Sequence, residues 1–183
     1  MAILERINET LVDLISGFQR KNLDKVGEKV VISSYLDPDL ILFMEEEDRD
    51  TAIKKLTHKL LLSGKIQDEE SFYSAVIQRE KIVSTGVGMG VAIPHAKLDD
   101  YKDFFIAIGV QKDKGIEWQS LDGSLVQLIF LIGGPSKDQT KYLKILSRLT
   151  ASIKDETLRN AVMKSTNADE IISLFTQYDS QES

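Results

Sequence analysis

The sequence predicts an α/β or α+β sandwich, on three observations. Apolar residues recur at helical spacing near both ends of the chain, and the middle carries short runs of branched and aromatic residues bounded by glycine turns. Helical and strand patterns are also mixed along the chain, which is the signature of layered helices and sheet. With 183 residues, 42% of them hydrophobic, one domain with a sizeable core is affordable, with room for an appendage.

The elements follow in order. Ile3, Leu4, Ile7, Leu11, Leu14, Ile15 and Phe18 mark an amphipathic helix that ends before Lys21-Asn22. This makes residues 1–24 an N-terminal amphipathic helical extension and leaves residues 25–183 as the main domain. The apolar stripe of that helix either packs back on the domain or pairs with a second copy to form a homodimer. Lys29-Val30-Val31-Ile32-Ser33 and Leu40 to Met44 read as extended segments around the turn Asp37-Pro38-Asp39. Glu45-Glu46-Glu47-Asp48 reads as a solvated turn.

Asp50 is the expected cap of a helix that carries Ala52, Ile53, Leu56, Leu60 and Leu61 inward and stops at Gly64. A second helix starts near Asp68, presents Phe72, Ala75 and Val76, and runs out around Arg79-Glu80. Strands are expected at Val91 to Ile93, Phe104 to Ile108 and Leu125 to Ile132, with turns at Gly115, Asp122-Gly123 and Gly133-Gly134-Pro135. The tail returns to helix through Leu143, Ile145, Leu146, Leu149 and Ile153. Asn167-Ala168-Asp169-Glu170 then resembles a capping box ahead of Ile171, Ile172, Leu174 and Phe175.

Composition excludes several functions. The net charge is -6 with no dense basic cluster, which argues against nucleic acid and against a membrane surface. The run Leu125 to Ile132, interrupted by Gln127, is far too short to cross a bilayer, and the N-terminus lacks the pattern of a signal peptide. A cytoplasmic protein is expected. There is no cysteine, so thiolate chemistry is excluded. Two histidines in no ligand spacing, and adjacent acids at Asp99-Asp100 that ordinarily face water, give no expectation of a metal.

The stretch Ser84-Thr85-Gly86-Val87-Gly88-Met89-Gly90-Val91-Ala92-Ile93-Pro94-His95 carries the chemistry. Its glycine spacing is not the dinucleotide fingerprint, and no phosphate loop of the G-x-x-x-x-G-K type occurs, so no cofactor is expected. Taken singly, the parts have plain structural readings: a glycine turn, a packed histidine, and an arginine at Arg79 that snorkels along its helix. Taken together they fit phosphoryl transfer. A neutral imidazole with a pKa of about 6.5 can act as a nucleophile. Glycines bring backbone amides near an anion, and a guanidinium offsets phosphate charge. Hydroxyls at Ser84 and Thr85 add donors. Without a nucleotide motif, the donor is expected to be a phosphorylated protein. His58, beside Lys55 and Lys59, reads as a surface residue.

From Arg79-Glu80 through Ser84 to Ala96 the chain resembles the type 2 enzyme IIA domain of the phosphoenolpyruvate-dependent phosphotransferase system, the fructose/mannitol class that includes nitrogen-regulatory IIA proteins. By element order the resemblance runs from about Lys29 to Phe175. It implies an α/β fold, a mixed-sheet sandwich flanked by helices. It also implies a phosphotransferase in which His95 accepts a phosphoryl group from phospho-HPr and Arg79 neutralises it. Thr85, Gly86, Gly88 and Gly90 would then be phosphate-binding donors. Many members carry a second active-site histidine, and Thr140-Lys141-Tyr142-Leu143 puts Tyr142 at that position.

Three functions follow as expectations. The first is a regulatory phosphoprotein of the nitrogen-regulatory kind, favoured by the stretch Lys137 to Lys141 and by the lack of an attached IIB or IIC region. The second is a sugar-specific IIA component that passes phosphate to separate IIB and IIC chains. The third is a protein-interaction module that is never phosphorylated. The expected partners are phospho-HPr and either a regulatory target or a IIB domain, with no nucleic acid and no membrane insertion.

Overall fold

A computed structural model describes residues 30–46 and 48–181 of the chain. The helix expected over residues 1–24, and with it the homodimer, lies outside the described residues, as do Lys29 and Glu47. Six strands form one sheet: β1 (Ile41–Met44), β2 (Gly86–Gly88), β3 (Val91–Ala92), β4 (His95–Leu98), β5 (Phe105–Gln111) and β6 (Leu128–Pro135). The order is β1-β5-β6-β3-β2, with β4 also paired to β6. β5 runs antiparallel to β6, whereas β1 is parallel to β5 and both β3 and β4 are parallel to β6. The sheet is therefore mixed, and helices pack on both of its faces, as the sequence predicts.

Those helices are α1 (Arg49–Leu62), α2 (Glu69–Ile82), α3 (Gln139–Lys154), α4 (Glu156–Lys164) and α5 (Ala168–Gln181). Alternation along the strands divides the core in two. Ile106, Ile108, Val110, Leu128, Phe130 and Ile132 face Ile145, Leu149, Val162, Ile171 and Phe175 of the three C-terminal helices. Phe105, Ala107, Ile129 and Leu131 face Ile53, Leu56, Leu60, Phe72 and Val76 of α1 and α2, with Trp118 beside them. Every residue of β5 is buried, which is why residues 105–110 read as one continuous apolar run rather than an alternating one.

Helix starts are set by carboxylates. Asp48, Asp68, Asp138 and Asp155 each accept a hydrogen bond from the backbone amide three residues on, satisfying a donor that the first turn leaves unpaired. Each such cap is worth about 1 kcal/mol. α5 starts at the expected box: Asn167 accepts from the Glu170 amide at 2.9 Å, and the Glu170 carboxylate accepts from the Thr166 amide at 3.1 Å.

Several expectations need correction. Asp48 caps α1, and Asp50 lies inside its first turn. Residues 32–35 form a 3-10 turn and not an extended segment, because Ser34 Oγ bonds the Val31 carbonyl and the Ser33 amide bonds Asp179, which offers the backbone an alternative to a ladder. α2 runs on to Ile82, past Arg79-Glu80. α4 was not expected at all. Leu125 lies before β6. Gly133-Gly134-Pro135 does not turn the chain but ends β6. Glycine is required there because the rings of Phe105 and Phe104 occupy the space where a Cβ would sit.

That packing yields a test. Gly133→Ala is expected to lower stability by about 1–3 kcal/mol through overpacking against Phe105 and Phe72. The effect is read as a lower urea midpoint at unchanged slope, and an unchanged midpoint would show that the rings yield freely.

Candidate functional site

β3 and β4 are one line of chain along β6. Val91 lies opposite Leu128, Ala92 opposite Ile129 and His95 opposite Ile132, so the register passes through Ile93-Pro94 without a slip. Pro94 has no amide to give to the ladder, yet its carbonyl still accepts from the Ile132 amide at 3.0 Å. The Ile93 carbonyl, on the edge away from β6, meets the imidazole two residues on: Nδ1 of His95 is 2.9 Å from it. A carbonyl only accepts, so Nδ1 carries the proton and Nε2 keeps its lone pair. Nε2 in turn accepts from Nε–H of Arg79 at 3.1 Å.

Burial depresses the His95 pKa to about 4, the bond to Ile93 opposes that shift, and the charges of Arg79 and Lys97 add to it. The ring is thus a neutral imidazole at physiological pH, with a known tautomer. Among the described residues β4 pairs with no strand other than β6, so its other edge lets Arg79 approach from α2. The same guanidinium donates through an Nη to the Val83 carbonyl at 2.8 Å, just past the end of α2. The loop after the helix thereby fixes where Arg79 points.

Glu80 does something different from its neighbour. It is 4% exposed and accepts from both the amide and the hydroxyl of Thr85, at 2.9 and 2.5 Å. Trp118 Nε1 donates to the same hydroxyl oxygen at 3.3 Å. Adjacent helix positions point about 100° apart, so Arg79 serves His95 while Glu80 ties down the start of the glycine stretch. Thr85, expected as a phosphate donor, is buried in this network.

Two of the glycine amides and the amide of Met89 are likewise engaged. Gly86 donates to Ser84 Oγ at 3.1 Å, Gly90 to Ser124 Oγ at 3.0 Å, and Met89, held at a φ of 57°, to Asp122 Oδ2 at 2.8 Å. At Gly88, with φ +91°, the Asp122 carboxylate fills the place of a Cβ, and at Gly86 Ser120 does. Contrary to expectation, Thr85, Gly86 and Gly90 are not open donors here. The glycines let the loop of residues 120–124 close over β2.

Tyr142, from the first turns of α3, does join the site. Its ring is 5.6 Å from the imidazole and stacks at 6.3 Å on Phe104. Burial pushes its hydroxyl up to about 12, against the pull of Arg79, so it stays a neutral O–H donor. Lys97 lies over this ring with Nζ 4.5 Å from the centroid. Sequence reasoning missed Lys97, Glu80, Trp118 and Asp122. Lys97 alone had a signal, since it follows His95 by two on a strand and so shares its face. His58 is exposed beside Glu69, 3.0 Å away, as a surface residue should be. Among the described residues no cluster of His, Asp or Glu could hold a metal ion, and no helix is long and apolar enough to cross a membrane.

The family profile of the phosphoenolpyruvate-dependent sugar phosphotransferase system, EIIA 2, matches residues 34–178. The chain belongs to that EIIA type 2 family. Similar sequences include a fructose-specific EIIABC component of Bacillus subtilis, 33% identical over 75% of this chain and 22% of its own length. A nitrogen regulatory protein of Bradyrhizobium diazoefficiens is 32% identical over 78% of this chain and 93% of its own. The chain thus spans about a fifth of one relative and nearly all of the other. Among solved structures, the nitrogen regulatory protein IIA-Ntr of Neisseria meningitidis superposes with a TM-score of 0.74 at 26% identity, covering 80% of this chain and all of that one. Mannitol IIA of Escherichia coli shares the fold, with a TM-score of 0.65 at 19% identity over 76% of this chain and 98% of its own. The EIIA type 2 fold is therefore the one described above, and the His95, Arg79 and Tyr142 cluster lies within the matched region.

The tautomer and the depressed pKa of this EIIA domain can be read directly. Imidazole NMR is expected to show a proton on Nδ1 at neutral pH and a titration midpoint near 4, far below the ordinary 6.5. Because the folded value is the lower one, the unfolded chain takes up the proton first on acidification. Stability is therefore lost as pH falls from 6.5 towards 4, and this group adds no slope above 6.5. Urea unfolding at both ends of that window should show a smaller loss for His95→Gln than for wild type. Equal losses would mean the ring is not held neutral.

Proposed function

We propose that this EIIA domain is a phosphocarrier that takes a phosphoryl group from phospho-HPr on Nε2 of His95, and that it works in the cytoplasm as a nitrogen-regulatory IIA protein. The bond from Nδ1–H to the Ile93 carbonyl carries the reading, because it leaves the Nε2 lone pair as the reactive electron pair beside a guanidinium. That lone pair forms the new P–N bond as the P–N bond of the donor's phosphohistidine breaks, and the donor nitrogen keeps the electrons. No proton need be transferred at His95. Catalysis is then positioning plus charge: Nε2 is aimed by the strand, and the Arg79 guanidinium leaves the nitrogen to meet the phosphoryl oxygens. The Tyr142 hydroxyl is a neutral donor at the same site.

The regulatory assignment rests on the Bradyrhizobium relative, matched over nearly its whole length, and on the superposition with the Neisseria IIA-Ntr. A sugar-specific role, with onward transfer to a IIB domain, has its own support in the fructose-specific relative and in a mannitol IIA that is solved in complex with phosphorylated IIB. The two readings share the first step and differ in the second.

Intact mass after incubation with phosphoenolpyruvate, enzyme I and HPr tests the shared step. Wild type is expected to gain one acid-labile phosphoryl group and His95→Ala none. No gain in wild type would leave a protein-interaction module as the function. Tyr142→His, which restores the residue that many family members carry, is expected to take up label faster. Chasing the labelled protein with a fructose-type IIB domain separates the rest: retained label supports the regulator, and rapid loss supports the sugar-specific component.

A further inference from the structure

Lys97 follows His95 by two residues on β4, and the alternation of a strand places both side chains on one face of the sheet. Its ammonium sits 4.5 Å above the Tyr142 ring and donates to the side-chain carbonyl of Gln139 at the start of α3. The Tyr142 ring is itself 5.6 Å from the imidazole, so Lys97 is one aromatic ring away from the nucleophile. Its field already reaches that ring, since Lys97 and Arg79 both lower the His95 pKa. Among the described residues no carboxylate pairs with Lys97. Partial burial adds a cost to its charge and drives its own pKa down.

A cation on an aromatic face with one neutral amide partner is weakly held compared with one on an anion. We propose that Lys97 is a second phosphate-binding cation of the site, parked on Tyr142 until a phosphoryl group on Nε2 draws it across. The inference rests on the phosphocarrier reading of His95. A phosphoryl group carries roughly two negative charges at neutral pH, and Arg79 supplies one positive charge. Tyr142 supplies none, because its hydroxyl neither gains nor loses a proton near neutrality. Lys97 supplies the other from the strand that carries the nucleophile. It donates hydrogen bonds to phosphoryl oxygens and gives up no proton.

The test uses the full chain, labelled from phosphoenolpyruvate through enzyme I and HPr. It compares uptake rate and thermal midpoint for wild type, Lys97→Met and Lys97→Arg. Lys97→Met keeps a stem of similar length without the charge and is expected to slow uptake roughly tenfold or more, the effect of losing one donor aimed at the transition state. Lys97→Arg should restore the rate to within a few-fold of wild type. Uptake by Lys97→Met at the wild-type rate would overturn the assignment. So would a slowed Lys97→Met that Lys97→Arg fails to rescue, which would place Lys97 in packing instead. Absence of label on wild type would overturn the phosphocarrier reading, and this one with it.

Discussion

The site depends on the way residues 91–98 lie along β6. Parallel pairing holds the register on both sides of Pro94, while the proline removes one amide from the ladder. On the other edge of the same stretch the Ile93 amide donates to the Thr85 carbonyl, and the Ile93 carbonyl accepts from the imidazole. The Ile93 carbonyl, on the edge of the strand away from β6, thus sets the tautomer of His95, and the flanking pairs with β6 keep the ring from drifting. The same line of chain brings in Lys97 two positions later. Arg79 needs only to come over the other edge of β4 from the helix on the opposite face.

The electrostatics follow from burial more than from charge. Desolvation is the largest influence on both His95 and Tyr142, and it favours the neutral form of each. Two nearby cations then reinforce neutrality in the imidazole. A lone pair beside positive charge is a weak base, and on the phosphocarrier reading the charge that develops there meets Arg79 at once. Glu80 is kept out of this arrangement. Its carboxylate is spent on Thr85, on the side of α2 away from His95, so that acid and base in the Arg-Glu pair do not cancel one another.

Much of the architecture was legible because periodicity reports burial. The apolar stripes of α1, α2, α3 and α5 and the dense runs of β5 and β6 are consequences of which faces must leave water. His95 and Arg79 were singled out from the residues and Tyr142 through the family resemblance, and the three lie side by side. What stayed hidden was long-range. Nothing local distinguishes Gly133-Gly134 as the end of a strand from a turn, since the reason lies in the rings of Phe104 and Phe105. Nor does the glycine stretch reveal that its amides are taken by Ser84, Asp122 and Ser124, two of them more than thirty residues away. α4 was missed because its nine residues bury only Leu158 and Val162, too few to show a period.

Tyr142 brings a property that a second imidazole would not. Between about pH 4 and about pH 12 neither His95 nor Tyr142 changes its charge. A histidine at that position would be a second base able to take up a proton on acidification, which the tyrosine hydroxyl is not. With tyrosine there, neither ring lets proton concentration alter the charge seen by a docking partner. On the phosphocarrier reading, the charge that distinguishes the loaded site from the empty one then comes from the phosphoryl group and not from these rings. Drift in pH between those limits would leave the charge of both rings as it was.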